Sequence, residues 1–518
     1  MHIGDHAATT PDKLALVIPG SGYTQTFAEL NEAANRLSQL LRSVGLQPGD
    51  HVALCMENHD RYLEVLWGCH FAGVIYTATS SRLTSAELTY ILNDCNAKAF
   101  ITSHYKAEQA AEILAGTPGV SLRLMLDGSI PGYEGYEEAV SQQSSEALPN
   151  RIAGTDMLYS SGTTGMPKGI SKPFENLPLD DSPIAIASAM GMLFGVTQDS
   201  VYLSPAPMYH AAPLRWTMGA QGIGCTAVVM AQFDPQQFLA AIEDNRVTHT
   251  QVVPTMFVRL LKTDIAVRSK YDVSSLQAVI HAAAPCPIPV KKQMIEWFGP
   301  IIHEYYAGTE GNGFVYCDST MWLAHEGTVG VGIGCTLHIC GEVELRIRQN
   351  LMGKLKSLRE IKRVCSHPQS LAQCRQWLQA NLPDVELIPE SSNAEAARRA
   401  RDEKGTAAIA GETAAEVYGL TVLCADIEDR PDNTTRFLVI GRRMFGPSGH
   451  DRTTLLVSTG HTEAPGALHR LLEPLARNKV SLSRIESRPS QRRKWNYVFF
   501  IDLEGHSDDP PVAKALAR

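Results

Sequence analysis

The spacing of apolar residues from residue 1 to about residue 339 constrains the fold of this chain more than any other feature. Residues 27–44 place apolar side chains at helical spacing, the following GLQPGD predicts a turn, and HVALCME predicts a short buried strand. Residues 62–72 again predict a helix, and GVIYTAT again predicts a strand. Such alternation is typical of α/β proteins, so we expect a layered α/β body built on a largely parallel sheet.

A second and different α/β pattern follows. Residues 366–381 and 393–404 predict helices, and GTAAIAG, TVLCADI and TRFLVIG predict strands. From Arg452 the chain predicts a strand, a helix over 466–478 and two more strands, VSLSRIES and NYVFFIDL, which begin a small βαββ module. No internal repeat links the two halves, and we expect more than one domain.

Composition excludes several classes of protein and partner. The 518 residues are 44% hydrophobic and 19% charged, which excludes a disordered, collagen-like or coiled-coil chain. Lys and Arg number 46 against 55 Asp and Glu, and no long basic block occurs. We therefore do not expect nucleic acid or an anionic membrane as a partner. We expect the partners to be small molecules.

Three features bear on the compartment. The weakly polar run at 185–196 is shorter than the roughly 20 residues of a bilayer span, so it predicts a buried helix and no membrane span. The amino-terminal MHIGDHAATTPDK lacks the apolar stretch of a secretory signal. The 11 cysteines never form a CxxC pair, which argues against structural zinc and a disulfide framework. These features predict a cytoplasmic protein.

The most informative stretch is YSSGTTGMPKG at residues 159–169. Its glycines let backbone N–H groups approach an anion, its hydroxyls add donors and Lys168 adds a positive charge, so it predicts a polyphosphate-binding loop. It differs from a Walker A loop because Met-Pro separates Gly165 from Lys168 and Gly169 follows. A solvated turn is the alternative, but such turns rarely combine so many hydroxyls and glycines with a Pro-Lys pair.

With this stretch, residues 1 to about 339 resemble the adenylate-forming superfamily of acyl-CoA synthetases, adenylation domains and luciferases. Three further segments occur in the family's order: PMYHAAPL at 207–214, AAAPCP at 282–287 and YAGTEG at 306–311. The resemblance implies that His210 lies beside the acyl pocket, whereas taken alone this histidine would be read as a core residue.

The same resemblance implies which residues bind nucleotide and act in catalysis. Lys168 would stabilise the phosphates, and Glu310 would hold Mg²⁺. The nucleotide-binding set is Ser160, Ser161, Gly162, Thr163, Thr164, Gly165, Lys168, Ala283, Ala284, Pro285, Tyr306, Gly308 and Thr309. The implied reaction joins a carboxylate, expected to be a fatty acid, to ATP as acyl-AMP, after which coenzyme A displaces AMP.

The family pattern breaks after HEGTVGVG at 325–332. The family's ribose-binding aspartate, its hinge and the late domain whose lysine clamps the carboxylate have no counterpart between Cys340 and Arg518, and IGRR at 440–443 is the nearest match to the hinge. We therefore expect the activation reaction to be impaired by the loss of that lysine domain.

From about residue 337 to its end, the chain resembles the prephenate dehydratases of phenylalanine biosynthesis. The segments that carry this resemblance include SHPQSLAQC, SNAEAARRA, DNTTRF and ESRP. The resemblance implies a catalytic site in which Thr435 protonates the departing hydroxyl of prephenate. The other implied site residues are Arg436, Phe437, Ser366 and Gln373. The alternative interpretation of TTRF is a strand with threonines paired across a sheet.

The last segment resembles the ACT regulatory module of the same family. GALHRLL and ESRP imply a phenylalanine site formed by Gly466, Ala467, Leu468, Glu486, Ser487, Arg488 and Pro489. ACT modules usually pair, which would make the protein a homo-oligomer. The dehydratase family's opening G-P-x-G-T-F-S and P-I-E-N-S segments do not occur in this sequence.

The sequence therefore predicts a chimera of three domains. An AMP-binding, acyl-CoA synthetase-like domain would span 1–336, a partial dehydratase lobe 337–445, and a truncated ACT module 450–518. Three functions stay open at this point: carboxylate activation by a ligase, prephenate dehydration with phenylalanine sensing, and binding of nucleotide or phenylalanine without turnover.

Overall fold

The computed structural model describes residues 2–160, 167–171, 173–309, 311, 313–334, 338–390, 392–430, 434–441, 446–458, 466–489 and 497–517. At residues 160, 338–344, 435–441, 458, 488–489 and 497 it describes the backbone alone. The chain forms two units, one of residues 1–336 together with 449–518 and one of residues 337–448. The finer division into three domains stays a prediction.

Strands and helices alternate through residues 1–336. The strands are β1 (Leu14–Val17), β2 (Thr24–Thr26), β3 (His51–Cys55), β4 (Ile75–Thr79), β5 (Ala97–Ser103), β6 (Leu122–Leu126), β7 (Glu134–Gly135), β8 (Thr155–Asp156), β9 (Leu158–Ser160), β10 (Lys168–Ile170), β11 (Val201–Ser204), β12 (Thr226–Val229), β13 (His249–Val252), β14 (Ala278–His281), β15 (Ile302–Ala307), β16 (Phe314–Cys317) and β17 (Val331–Gly332). The helices are α1 (Ile3–Thr9), α2 (Phe27–Ser43), α3 (Tyr62–Ala72), α4 (Ser85–Asp94), α5 (Ala107–Ile113), α6 (Tyr136–Ser141), α7 (Ala185–Phe194), α8 (Ala211–Ile223), α9 (Pro235–Asn245), α10 (Pro254–Lys262), α11 (Ile265–Arg268), α12 (Ile288–Phe298) and α13 (Ser319–Ala324), with 3-10 turns at His104–Lys106 and Leu179–Asp181.

Two large sheets organise this part of the described chain. One has nine strands in the order β17-β16-β15-β14-β13-β11-β12-β1-β2, and the other has six in the order β7-β6-β5-β3-β4-β8. All pairs of the second sheet and the central pairs of the first are parallel. Every residue of β4 is buried, as expected for a parallel strand covered on both faces. The predicted α/β class is confirmed.

Local sequence explains where the first long helices begin. Thr26 caps α2 by accepting from the backbone N–H of Glu29, whose carboxylate accepts from the N–H of Thr26 at 2.8 Å. The apolar face of α2 packs on α3, whose residues are all buried. Both predicted helices are confirmed, and the bounds of α3 agree with the prediction.

The predicted buried helix at 185–196 is only half buried. Helix α7 does form and packs against α8, with Met190 and Phe194 inside. Met192, however, is 79% exposed. The predicted helix is confirmed, but its predicted burial holds for one face alone, because low polarity does not tell which face of a helix finds a partner.

The second unit is built on another sheet. Its strands are β18 (His338–Arg346), β19 (Asn350–Gly353), β20 (Arg363–Ser366), β21 (Glu386–Pro389), β22 (Thr406–Ala410), β23 (Thr421–Cys424) and β24 (Thr434–Gly441), and its helices are α14 (Pro368–Gln373), α15 (Arg375–Asn381), α16 (Asn393–Asp402) and α17 (Glu412–Tyr418), with a 3-10 turn at Leu358–Glu360. Among its described residues, five strands pair in the order β21-β20-β22-β19-β23, and β18 pairs with β24.

The single helix predicted over 366–381 is wrong. The chain leaves helical geometry at Cys374, where φ is −111° and ψ is 16°, and two helices result. The carboxylate of Asp429 accepts from the backbone N–H groups of Gln376 and Trp377 at 3.0–3.1 Å, which satisfies the exposed first turn of α15. This cap comes from a residue more than fifty positions away, which sequence spacing does not reveal.

The carboxyl-terminal segment forms the predicted small module. It consists of β25 (Arg452–Ser458), α18 (Ala467–Arg477), β26 (Leu482–Pro489), β27 (Tyr497–Glu504) and α19 (Pro510–Leu516). β27 lies between β25 and β26 and is antiparallel to both. In the described parts of the chain, no helix combines the length and apolar character needed to cross a bilayer.

Candidate functional site

The predicted phosphate-binding stretch is flanked by two paired strands. β9 and β10 are antiparallel, with Lys168 opposite Ser160. The strand pair therefore holds the two ends of the stretch together, and the side chain of Lys168 is exposed. Five predicted nucleotide-binding residues of this stretch lie outside the described residues: Ser161, Gly162, Thr163, Thr164 and Gly165.

The family resemblance assigns AAAPCP and YAGTEG to the adenine, and these two predicted adenine segments meet at one edge of the nine-stranded sheet. β14 and β15 are parallel, with His281 opposite Glu304, so AAAPCP and YAGTEG occupy neighbouring positions at the carboxyl ends of these strands. Ligands of open α/β sheets bind at this edge. The side chain of Tyr306 is 53% exposed there and is available to a planar ring.

The backbone is strained in the first of these segments. Ala283 has φ +74°, a conformation that favours glycine, and Ala283, Ala284 and Pro285 are exposed. Such strain tends to be kept at ligand-binding turns. The preceding Ala282, by contrast, is buried.

The second segment is described in part. Gly308 is exposed and Thr309 is half-buried, whereas Glu310, the predicted Mg²⁺ ligand, lies outside the described residues. Within the described ranges, no three His, Cys, Asp or Glu side chains are grouped as metal ligands.

A buried charged cluster lies directly beneath the adenine segments. Lys291 of α12 is completely buried, and its Nζ lies 2.5 Å from Oε2 of Glu304 and 5.0 Å from the ring centre of Trp322. His281 is also completely buried, 3.4 Å from the same carboxylate. Burial, with a smaller effect of Lys291, lowers the pKa of His281 to about 3, so its imidazole is neutral.

Helix α8 connects the predicted acid-binding segment to the adenine segment through aromatic rings. His210 is the N-cap of α8 and is exposed. On the same helix, Trp216 stacks on Tyr305 with ring centres 5.7 Å apart, and Tyr305 stacks on Phe314 at 5.2 Å with the rings 9° from parallel. Tyr305 directly precedes Tyr306, so this stack supports the strand that carries it.

A cavity of about 520 Å³ opens beside α8. Its apolar wall includes Ile186, Leu214, Met218 and Phe314, the last of which pairs with Ala307 across β15 and β16. The volume and the lining are those of a small-molecule pocket. The apolar part of this cavity therefore lies next to the YAGTEG segment.

The second unit contains a separate polar network. The hydroxyl oxygen of Ser366 is completely buried, 2.7 Å from the carbonyl oxygen of Ile409 and 3.0 Å from Oδ1 of Asn393. The side-chain amide of Gln349 donates to Oε1 of Gln373 at 2.9 Å and to Ser370 at 3.2 Å. Asn393 donates to the same Ser370 at 3.1 Å. The structure therefore brings the predicted residues Ser366 and Gln373 into one network.

The remaining predicted residues are placed less fully. Thr435, Arg436 and Phe437 lie in β24 opposite Leu345, Glu344 and Val343 of β18, and their side chains are not among those described. Gly466 precedes α18 with φ +78°, followed by Ala467 and Leu468. Glu486, Ser487, Arg488 and Pro489 lie in β26.

The sequence analysis missed several residues that the site uses. Arg215 and Asp156 form an ion pair at the cavity. Lys291 is completely buried, and Gln349 and Asn393 belong to the polar network of the second unit. One signal was available for Lys291, because it shares a helical face with Met294 and Ile295, where an apolar residue is expected.

Comparison with known proteins agrees with this geometry. The model of the AMP-binding enzyme family matches residues 3–355. The chain therefore belongs to the AMP-binding enzyme family.

Two further family models match the rest of the chain. The prephenate dehydratase model matches residues 323–445 and the ACT domain model matches 454–518. The chain thus joins an acyl-CoA ligase-like amino-terminal part to a prephenate dehydratase-like and ACT-like part, as predicted. The first two matches overlap at 323–355, which includes the predicted join near 337–339.

Similar proteins fall into two groups. Over 219 residues the chain is 46% identical to the bifunctional chorismate mutase/prephenate dehydratase of Stutzerimonas stutzeri, covering 42% of this chain and 60% of that protein. It is 40% identical over 159 residues to the prephenate dehydratase of Mycolicibacterium vanbaalenii, covering 30% of this chain and 50% of that protein. The chain therefore spans less than two thirds of the length of these curated relatives.

The amino-terminal fold has solved counterparts. The inhibitor-bound N-terminal domain of FACL13 from Mycobacterium tuberculosis superposes with a TM-score of 0.56 at 22% identity, covering 68% of this chain and 87% of that chain. At this identity the likeness shows the fold alone.

Proposed function

We propose that residues 1–336 bind ATP and a carboxylic acid and join them as an acyl-adenylate, with coenzyme A as the second substrate. The observation that carries this proposal is the position of the cavity. Its Phe314 wall lies one strand away from Ala307, so a bound acid could present its carboxylate to a nucleotide stacked on Tyr306.

In the proposed reaction a carboxylate oxygen attacks the α-phosphate of ATP and pyrophosphate leaves. Lys168, opposite Ser160 in the strand pair, offers its ammonium to the phosphates. Bound Mg²⁺ would neutralise phosphate charge, and Glu310 is the residue we propose to hold it. The residues that follow match the prephenate dehydratase and ACT models at the place where the resemblance implies a lysine-bearing lid, and we propose that this step is slow.

The nucleotide site is tested by titrating the full-length protein with AMP. Tyr306→Ala removes the proposed stacking ring, which should weaken AMP binding by about 1–3 kcal/mol. Tyr105→Ala is the matched control, since Tyr105 is 76% exposed and belongs to none of the nucleotide segments. Equal AMP affinity of both variants and the unsubstituted protein would overturn the proposed site.

A second candidate function is favoured by the network in the second unit. We propose that residues 337–445 take part in converting prephenate to phenylpyruvate, water and CO₂, with Thr435 protonating the leaving hydroxyl and with phenylalanine sensed by 450–518. Ser366 and Gln373, which the family resemblance assigns to substrate, are already held by Gln349 and Asn393. Such support for substrate-binding groups is what orientation of a dicarboxylate requires.

Absorbance of phenylpyruvate formed by the full-length protein tests this second function. Ser366→Ala should lower the rate at least tenfold, whereas Ser357→Ala, at an exposed position of the same unit, should leave it unchanged. Absence of turnover with intact AMP and phenylalanine binding would instead favour the non-catalytic alternative.

A further inference from the structure

One ion pair interrupts the apolar wall of the cavity. Nε of Arg215 lies 3.1–3.2 Å from the carboxylate oxygens of Asp156, and Nη2 lies 2.8 Å from Oδ2. Both residues line the cavity, and their side chains remain 26% and 14% exposed. The pair is therefore within reach of a bound molecule.

The guanidinium of Arg215 keeps donors in reserve. Asp156 occupies Nε and Nη2, and among the residues that the structure describes Nη1 has no hydrogen-bond acceptor. His70 lines the same cavity, is 3% exposed and has no described hydrogen-bond partner at Nδ1. Within the described residues, Nη1 of Arg215 and Nδ1 of His70 are thus two nitrogens without a protein partner in a cavity whose lining is mostly apolar.

The pair of Arg215 and Asp156 lies where the six-stranded sheet contributes to the wall of the cavity. Phe314 belongs to the nine-stranded sheet and pairs with Ala307, whereas Asp156 lies in β8 of the six-stranded sheet, opposite Tyr76 of β4. The cavity extends from the first sheet to the second. An acid whose carboxylate faces a nucleotide on Tyr306 can therefore also place its body against Arg215.

We propose that the acid bound here carries a hydrogen-bond acceptor oxygen on its apolar body, as an oxo group or a second carboxylate, and that Nη1 of Arg215 recognises it. This inference rests on the proposed carboxylate activation. A plain alkyl chain would cover the guanidinium N–H groups without replacing their water, which costs free energy. A site built to hydrogen-bond a substrate oxygen discriminates strongly against the analogue that lacks it.

The competing interpretation gives Arg215 a structural role alone. The pair joins α8 to β8, and it could serve only to fix the helix to the sheet. In that case the oxygen substituent would not matter, and a fatty acid would bind as tightly as its oxidised counterpart.

The experiment compares matched acids of six, eight and ten carbons on the full-length protein with saturating AMP. Each set contains the alkanoate, its oxo acid with the ketone next to the terminal methyl, and the α,ω-dicarboxylate. We expect at least one oxygenated acid to bind ten times more tightly than the alkanoate of equal length, as measured by calorimetry.

Substitutions then separate recognition from packing. Arg215→Lys keeps a positive charge opposite Asp156 but removes the planar fork, so it should bring the affinity ratio close to one. Met218→Leu alters the apolar wall and should preserve the ratio. Melting temperatures of both variants with AMP report whether each is folded.

The outcomes distinguish this inference from the function on which it rests. Alkanoates that bind as tightly as every oxygenated acid, or an unchanged ratio in Arg215→Lys, would overturn the inference and leave carboxylate binding intact. Failure of all acids to bind while AMP binds would overturn both.

Discussion

At the scale of single residues, the pair of Lys291 and Glu304 is the most consequential feature of the amino-terminal part. A buried ammonium is tolerated only when a carboxylate compensates it, and here the pair also abuts neutral His281. Glu304 lies in β15 two positions before Tyr306, so the pair fixes the strand that presents the ring we propose to stack on adenine.

Removing one partner of this pair should destabilise the protein strongly. Lys291→Met leaves the Glu304 carboxylate buried without compensation, and we expect a loss of about 3–5 kcal/mol in the free energy of unfolding. Lys292→Met is the matched control, because the adjacent Lys292 pairs with Glu326 near the surface and should cost no more than about 1 kcal/mol. Chemical denaturation that finds equal losses would contradict this account.

Three histidines should make stability depend on pH. Burial lowers the pKa of His70 and of His303 to about 4 and that of His281 to about 3. In the unfolded chain each histidine has a pKa near 6.5, so below this pH it binds a proton that the buried imidazole of the folded state does not bind. Stability should therefore fall as the pH drops from 6.5 toward 4, by up to about 1.4 kcal/mol per pH unit for each histidine, with no contribution above 6.5.

Denaturation at pH 7.5, 6.5, 5.5 and 5.0 measures this dependence in the transition that AMP shifts. His303→Gln, which keeps a polar group for the hydroxyl of Tyr316, should give a shallower dependence than the unsubstituted protein. A flat profile between pH 6.5 and 5.0 would show that the imidazoles are accessible to protons in the folded state.

At the scale of elements, the antiparallel pair of β16 and β17 forms the edge of the nine-stranded sheet next to the YAGTEG segment. Gly330 enters β17 with φ +102°, and a Cβ there would lie 1.8 Å from the carbonyl oxygen of Tyr316. Gly334 also has a positive φ, +62°, but a Cβ there would meet nothing within 4 Å. Alanine at Gly334 therefore tests the effect of the backbone conformation alone, whereas alanine at Gly330 adds a steric clash.

Gly330→Ala should disrupt the pairing of β16 with β17. Gly334→Ala should cost about 1–2 kcal/mol from backbone conformation alone, whereas Gly330→Ala should cost more than about 3 kcal/mol and weaken AMP binding as well. Thermal unfolding with and without AMP gives both readouts. Similar behaviour of the two variants would mean that β17 does not support the nucleotide edge.

The elements also show what sequence could and could not predict. The bounds of α3 follow from a run of eleven residues that are apolar or small except for Glu64 and His70, next to a glycine that ends the helix in left-handed geometry. By contrast, the break at Cys374 depends on the cap from Asp429, and the half-burial of α7 depends on which face meets α8. The spacing of apolar residues within a segment does not indicate which distant residues will contact it.

The same limit applies to the candidate sites. The strand pairings around Lys168 and Tyr306 place motifs that the sequence made recognisable. Arg215 and Asp156 have no motif around them, and each reads as an ordinary surface charge until the fold brings them to one cavity. Gln349 was missed for the same reason, because only its contacts with Ser370 and Gln373 in the folded protein identify it as part of the polar network.

At the scale of the whole molecule, the chain joins parts that match unrelated enzyme families, so their ligands should act independently. We expect AMP and phenylalanine each to stabilise the folded protein by about 2.7 kcal/mol at a hundred times its dissociation constant, and the two effects to add. Calorimetry with each ligand alone and with both tests this. A stabilisation by both ligands together that differs from the sum of the two separate effects would contradict independent sites. Pairing through residues 450–518 stays a prediction that sedimentation would check.

The central claim is that residues 1–336 form a carboxylate-activating site, and carboxylate-dependent exchange of pyrophosphate into ATP tests it most directly. The account predicts slow exchange by the purified full-length protein that requires an added acid and is lost in Lys168→Ala. Exchange that ignores the acid, or its absence with every acid while AMP still binds, would contradict the claim.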